Sequence, residues 1–359
     1  MMLRLIIGFF IFTAAISASP TTAGPTGDNN TENKKFLPGE MIMHHILDSH
    51  EWHVLNWKGH HVSIPLPIIL FHEDRGLSIF LSSKFKHGKQ DYLGYKLDQG
   101  NDELKASIKC VDELGEINHS ETDKLWDFSI TKNVFSLFFS IILLLIIFTR
   151  ISSRYKTHTN KAPSGIQSLL EPIIIFIRDD IAKSAIGEKD YARYLPFLLT
   201  VFFFIFLNNL LGLIPFFPGG ANLTGNIAVP MVMAAIVFIV TTISGKKYYW
   251  KHIFAMPGVP TPVLLILTPI EIFGVFLKPL VLMIRLFANI TAGHIIILSF
   301  FSMIFIFGDM HPAAGFGVSI FSGLFVIFML TLELLVAFLQ AYVFTLLAAM
   351  YFGMAVEEH

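Results

Sequence analysis

A single cysteine, Cys110, excludes an intramolecular disulfide. Charge is scarce too: Asp, Glu, Lys and Arg make up 15% of the 359 residues, and 26 basic residues nearly cancel 27 acidic ones. Without a basic excess the chain is not built for nucleic acid, and the places where its few charges fall matter more than their total. The excess is apolar: 53% of the residues, gathered in blocks longer than the elements of a soluble core. Such a chain reads as an integral membrane protein.

The amino terminus, MMLRLIIGFFIFTAAISASPTTAG, has Arg4, an apolar run over residues 5–15, and then small residues. It reads as a signal peptide over residues 1–23, which puts the segment after it outside the cytoplasm and the chain in a bacterial inner membrane. Residues 20–32 have the composition of a flexible linker. Residues 24–125 are expected to form a small periplasmic α+β domain. In it HVSIPLPIILF and GLSIFLSSKF suggest two short strands joined by a turn around Glu73 to Gly76. Six histidines, His44, His45, His50, His53, His60 and His61, crowd its start. No acidic or cysteine partner recurs at ligand spacing, so a polar amphipathic helix explains them as well as a metal would. No metal and no cofactor is expected.

Residues 126–359 are expected to be all-α and to cross the membrane five times. The first crossing covers residues 134–149 and runs into a basic loop with Arg150, Arg154, Lys156 and Lys161. The next segment, SGIQSLLEPIIIFIRDDIAKSAIG, is apolar for too few residues to cross and is expected to lie at the cytoplasmic surface. Further crossings are expected at 194–217 and 227–244, the latter ending at Lys246, Lys247 and Lys251. Basic loops thus fall on one side, which the positive-inside rule makes cytoplasmic together with the carboxyl terminus. The last two apolar runs, 262–305 and 317–352, are too long to stand upright. At about 1.5 Å per residue they would reach about 66 and about 54 Å, against a hydrocarbon core of about 30 Å. They must tilt steeply or bend, and Pro269 and Pro279 offer bending points in the first.

Charge inside these runs is expensive, about 2.5 to 3.5 kcal/mol for an arginine at mid-bilayer, so each such residue calls for a use. Glu271, Lys278 and Arg285 recur at sevens and share one helical stripe, with Asn289 close to it. His294, nine residues after Arg285, falls on the opposite face. The final run has Glu333 and Gln340, also seven apart. In an antiparallel hairpin, residues at equal depth have numbers with a constant total. Arg285 with Gln340 totals 625 and His294 with Glu333 totals 627, which places the turn near 313, inside GDMHPAAGFG. The arithmetic gives two polar layers, Arg285/Gln340 deeper and His294/Glu333 nearer the outside. Plainer roles exist: Lys278 reads as snorkelling to the interface, and Asn208 and Asn209 serve equally well as interhelical hydrogen bonders.

KPLVLMIRLFANITAGH, with LELLVAFLQAYVF and the carboxyl-terminal EEH, resembles the a subunit of F-type ATP synthase over residues 126–359. The resemblance implies the ion-conducting, non-catalytic stator of a rotary motor. It implies that Arg285 is the essential arginine facing the rotating c-subunit ring, supported by Asn289 and Gln340. Glu271, His294 and Glu333 match positions lining two aqueous half-channels, and Asn209 belongs to the proton path. Relative to several bacterial relatives the acid and histidine at 294 and 333 are exchanged, and Gly212 replaces an acidic residue. Implied partners are the c ring, the b subunits of the peripheral stalk, the F1 sector and the lipid bilayer, with H+ as the default ion. Two rivals fit less well. A secondary transporter would show paired repeats, and an insertase would not explain the set Asn289, His294, Glu333 and Gln340.

Overall fold

The computed structural model describes residues 39, 48–57, 60–98, 107–112, 114–157, 162–214, 217–256 and 258–357. The expected signal peptide and linker, with His44 and His45, lie outside the described residues. The chain divides into two compact units, one of residues 1–135 and 216–218, the other of residues 136–215 and 219–359.

The first unit is built from short antiparallel strands. β1 (Glu51–Trp57) pairs with β2 (His60–Pro65). The polar amphipathic helix expected around the histidines is therefore not the structure of residues 51–65. The aromatic and β-branched residues of EWHVLNW and HHVSIP favour a pleated surface over a helix. β3 (Pro67–His72) and β4 (Gly76–Leu81) form the expected hairpin. With β7 (Leu125–Asp127) they make a three-stranded sheet in the order β4-β3-β7. β5 (Tyr95–Asp98) pairs with β6 (Ser107–Cys110). A single-turn helix α1 (His119–Thr122) is capped by Asn118, whose Oδ1 accepts the Glu121 N–H. Strand alternation turns Ile68 and Leu70 inward onto Phe85, Tyr95, Leu97, Ile108 and the buried Cys110. Buried His50 lies 3.4 Å from Asp127 Oδ2, and Trp52 meets the ring of Phe135 edge to face.

The second unit is helical. α2 (Lys132–Thr157) leads into it and is followed by α3 (Ile166–Phe176), a π turn (Ile177–Lys183) and the short α4 (Ser184–Ile186). Then come α5 (Tyr191–Leu213), α6 (Ala228–Ser244), α7 (Lys247–Phe254), α8 (Thr261–Met310) and α9 (Pro312–Val356). Among the described residues α2, α5, α8 and α9 are long and apolar enough to cross a membrane. The α6–α7 pair, bent by 104°, makes a fifth span if taken as one. This matches the expected multi-pass helical architecture.

The segment 166–186 is the expected helix, but one face of it is core: Ile177, Ile181 and Ala182 are fully buried with Phe344, Ala348 and Phe352. Its polar face holds a salt-bridge chain. Hydrogen bonds from Arg178, then Lys183, keep the Asp179 carboxyl well below the usual carboxylate range. α9 approaches its neighbours closely through Ala341, Ala348, Ala349 and Gly353.

α8 has 50 residues and α9 has 45, and α8 runs without a break through Pro269 and Pro279. The ten-residue turn expected between them is a single residue, His311, whose Nδ1 accepts the Ala313 N–H. Glycine makes the tight return feasible: a Cβ on Gly315 would stand 2.7 Å from Gly308 Cα. The residues expected to form a loop are thereby used as helix.

Packing at α9 and the His50-bonded carboxyl of Asp127 in the first unit each give a testable outcome. A Cβ at Gly353 would overlap the Ala185 carbonyl oxygen, and overpacking of this kind costs about 1 to 3 kcal/mol. Gly353→Val is expected to lower the apparent Tm in detergent by several degrees. Gly274→Ala, which has open space around it, should leave the Tm unchanged or slightly higher. In the first unit, burial raises the Asp127 pKa, but hydrogen bonds from His50 and Ser129 outweigh it and leave the net value lowered from 3.8. A depressed carboxyl contributes stability above its unfolded pKa and loses it as pH falls through the folded value. Denaturant titration followed by tryptophan fluorescence should show this unit losing stability below pH 3.8. Asp127→Asn should be less stable at neutral pH and less sensitive to acid.

Candidate ion-path site

On α8, Leu282, Leu286 and Ile290 recur at four-residue spacing and are buried. Burying that stripe turns Arg285 outward. Its side chain is exposed and forms no hydrogen bond or ion pair with another described residue. The opposite face carries His294, half-buried, with Nδ1 3.9 Å from Glu333 Oε1 on α9. Arg285 and His294 thus occupy different surroundings, as their spacing requires.

Glu333 is 5% exposed, and neither of its carboxylate oxygens has a hydrogen-bond partner. Room for it is made by Gly293, where a Cβ would stand 2.6 Å from Glu333 Oε1. On another side of the imidazole, a Cβ on Gly212 of α5 would lie 3.7 Å from His294 Nε2. Gly212, where the resemblance leads one to expect an acid, therefore leaves the space beside His294 open.

One layer deeper the expected partners change. Gln340 is buried, and its Oε1 accepts a 2.9 Å hydrogen bond from Asn289 Nδ2 rather than from Arg285. Helical side chains lean toward their own amino terminus. On α9 that is toward the His311 turn, so Gln340 reaches Asn289, which is nearer the turn than Arg285. Asn209 of α5 is also buried; it accepts from Thr224 Oγ1 at 2.8 Å and donates to the Ala337 carbonyl at 3.4 Å. Thr224 went unnoticed in the sequence because its loop, PGGANLTGN, carries no charge and no motif.

Two charged positions of the α8 stripe stand apart from these pairs. Lys278 Nζ lies 5.9 Å from the Tyr351 ring centre, beside a cavity of about 20 Å³ shared with Tyr249 and Thr241. Glu271 is half-buried and within electrostatic reach of Tyr249 on α7. The structure therefore gathers His294 with Glu333, Asn289 with Gln340, and Asn209 with the α9 backbone, and leaves Arg285 on an outward face, within electrostatic reach of Tyr351.

One group among the described residues has ligand-type atoms within 4.8 Å of one another: His72, Asp74 and Glu121, in the first unit. Its atoms are already engaged. His72 Nδ1 accepts the Asp74 N–H, and Lys124 Nζ bridges Asp74 and Glu121.

Comparison with known proteins identifies the family. Residues 134–353 match the family model for the ATP synthase A chain, and residues 41–128 match a domain of unknown function (DUF8433). ATP synthase subunit a of Chlorobium phaeobacteroides is 45% identical over 242 residues, 65% of this chain and 68% of its own. ATP synthase subunit a 2 of Chlorobaculum tepidum is 45% identical over 260 residues, 70% of each chain. The Myxococcus xanthus subunit a is 39% identical over 256 residues, 70% of this chain and 80% of that one. The chain belongs to the ATP synthase A chain family.

Proposed function

We propose that this chain is the ion-conducting stator of a rotary ATP synthase, with Arg285 as its coupling charge and two aqueous half-channels for protons. Family membership makes it a non-catalytic membrane subunit of a larger complex. The observation that carries the finer reading is the division of α8. An unpaired guanidinium is exposed on one face, and a buried acid–imidazole pair lies on the other.

A carboxyl carried on a rotor through lipid must be neutral, because burying it charged is prohibitive. Beside Arg285 the balance reverses: an opposite charge within about 4 to 6 Å lowers a carboxyl pKa by about 1 to 3 units. The proton then leaves by one half-channel, and a second arrives by the other once the site has passed. Arginine suits the task because it stays protonated when desolvated and repels protons that would otherwise leak straight across. An exposed apolar helix face around Arg285 suits a sliding partner, and the c ring is the partner proposed. The b subunits and the F1 sector complete the assembly.

His294 and Glu333 form the entry path. A buried carboxyl with no hydrogen bond is stable there as the acid or beside an imidazolium, so the pair passes a proton between two acceptable states. Asn209 and Glu271 are assigned to the walls of the path, and Asn289 with Gln340 fixes the α8 face behind Arg285. The drive is about 2.3 kcal/mol per charge for each 100 mV. In this reading residues 1–23 are a signal peptide, residues 24–125 are periplasmic, residues 126–359 form the inner-membrane stator, and the carboxyl terminus is cytoplasmic.

In inverted vesicles, Arg285→Ala should assemble normally yet lose ATP-driven proton pumping, with passive leak unchanged or higher; pumping near the normal rate would overturn the assignment. For the entry path, Glu333→His and His294→Glu should each cut pumping at least tenfold. The double exchange should recover part of the loss, because it restores one acid and one imidazole. A double variant no better than the worse single one would remove the pair from the path.

A further inference from the structure

We propose that the β4-β3-β7 sheet rests its outer face on the membrane surface next to α2, with a lysine-bearing turn on anionic phospholipid headgroups. In a sheet with one face in the core, the other face is ordinarily polar. Here it is not. β4 turns Ser78 inward and presents Leu77 at 63% exposure and Ile79 at 65% to the outside, with Leu81 beyond them. Across the sheet Leu77 pairs with Phe71 and Phe71 with Trp126, so these three lie in one row on the same face. Phe128, whose N–H bonds the Ile69 carbonyl, extends the patch at 62% exposure. A contiguous apolar surface of this kind marks a docking face.

Chain continuity identifies what covers it. β3 is antiparallel to both of its neighbours, so β4 and β7 run the same way, and β7 runs toward α2. The Ile130 N–H still bonds the Pro67 carbonyl, which sets Ile130 level with Leu81, the cross-strand partner of Pro67. Two residues later, at Lys132, the spanning helix starts. Its first turn is tied back to the same unit by hydrogen bonds from Lys132 N to Ser49 O and from Asn133 N to Asp48 Oδ1. Only a few residues of chain therefore separate the patch from the start of the spanning helix. Trp126 and Phe128 sit where aromatic side chains gather at membrane interfaces.

Charge agrees with the direction. The segment that follows β4 at this membrane-near end carries Lys84, Lys86 and Lys89, all exposed. At the far end of the sheet Glu73 and Asp74 share the turn with Arg75, and Asp74 and Glu121 are ion-paired with Lys124, so that end has no basic excess. An apolar face with a basic rim at its membrane end fits an anionic bilayer, where each lysine near the surface adds about 1 kcal/mol.

The test uses the full-length chain, with Cys110→Ala, reconstituted in vesicles of phosphatidylcholine with or without phosphatidylglycerol. A fluorophore is attached to a cysteine at Ile79, at Phe128 or, as control, at the exposed Leu114, and nitroxide-bearing lipids serve as quenchers. Quenching at 79 and 128 should exceed that at 114 several-fold. It should rise with phosphatidylglycerol, and Lys84→Glu with Lys86→Glu and Lys89→Glu should abolish that rise. Quenching at 79 and 128 no greater than at 114 would overturn the proposal. A water-like emission would then mean a bare face, and a blue-shifted one would mean a cover of protein, either another segment of this chain or a neighbouring subunit.

Discussion

The contact between α8 and α9 sets the position of everything else in the membrane part. Two helices of 50 and 45 residues fold back on each other at one residue, and their pairing can be followed outward from it. Gly308 meets Gly315, Phe300 stacks on Phe325 at 3.8 Å, His294 faces Glu333, and Asn289 bonds Gln340. The paired numbers total 623, 625, 627 and 629, a steady drift from the 622 that a vertex at His311 implies. Side-chain lean accounts for its sign. On α8 the amino-terminal direction leads away from the turn and on α9 it leads toward it, so the α9 member of a touching pair sits farther along its helix. Its size grows with distance from the turn.

That register separates two kinds of polar residue. Asn289 with Gln340 and His294 with Glu333 pair between the two helices, the first by a hydrogen bond that satisfies the buried Gln340 carbonyl. Asn209 meets the same requirement through Thr224 and the Ala337 carbonyl. Arg285 lies one turn from Asn289, has no hydrogen bond or ion pair among the described residues, and is within electrostatic reach of Tyr351. In the proposed motor its complement is a carboxyl that arrives, discharges its proton and departs. Glu333 poses the converse case, a buried acid without a hydrogen-bond partner, which the proposed entry path uses together with His294.

Much of this was legible in the residues because period and cost are one-dimensional. A four-residue spacing placed Arg285 and Asn289 on one face and nine residues placed His294 on the other, and the structure keeps both. The apolar runs gave the spanning helices to within about five residues, except α2, which continues eight residues past the expected end at 149 to Thr157. Failures arose where three dimensions decide. The turn GDMHPAAGFG looked like a loop because Gly and Pro usually interrupt helices. At this site Pro312 opens α9 in a first-turn position that tolerates it, and the glycines serve close packing. Equal-depth arithmetic paired Gln340 with Arg285 because it ignored the lean of side chains. Histidines dominated the look of residues 44–61, while tryptophan, valine and isoleucine decided that the described part of it is strand.

The central claim is that the Arg285 face of α8 is left open for a rotor while the opposite face is closed by α9. It is tested most directly by oxidative cross-linking in native membranes, with single cysteines at Ile284 and Ala288 on the exposed face and at Leu286 and Ile290 on the buried one. Each is paired with a cysteine one helical turn from the ring carboxyl. Disulfides to the ring subunit from 284 and 288, and none from 286 and 290, are the predicted result. Equal cross-linking from both faces, or none from 284 and 288 in an assembled complex, would contradict the account.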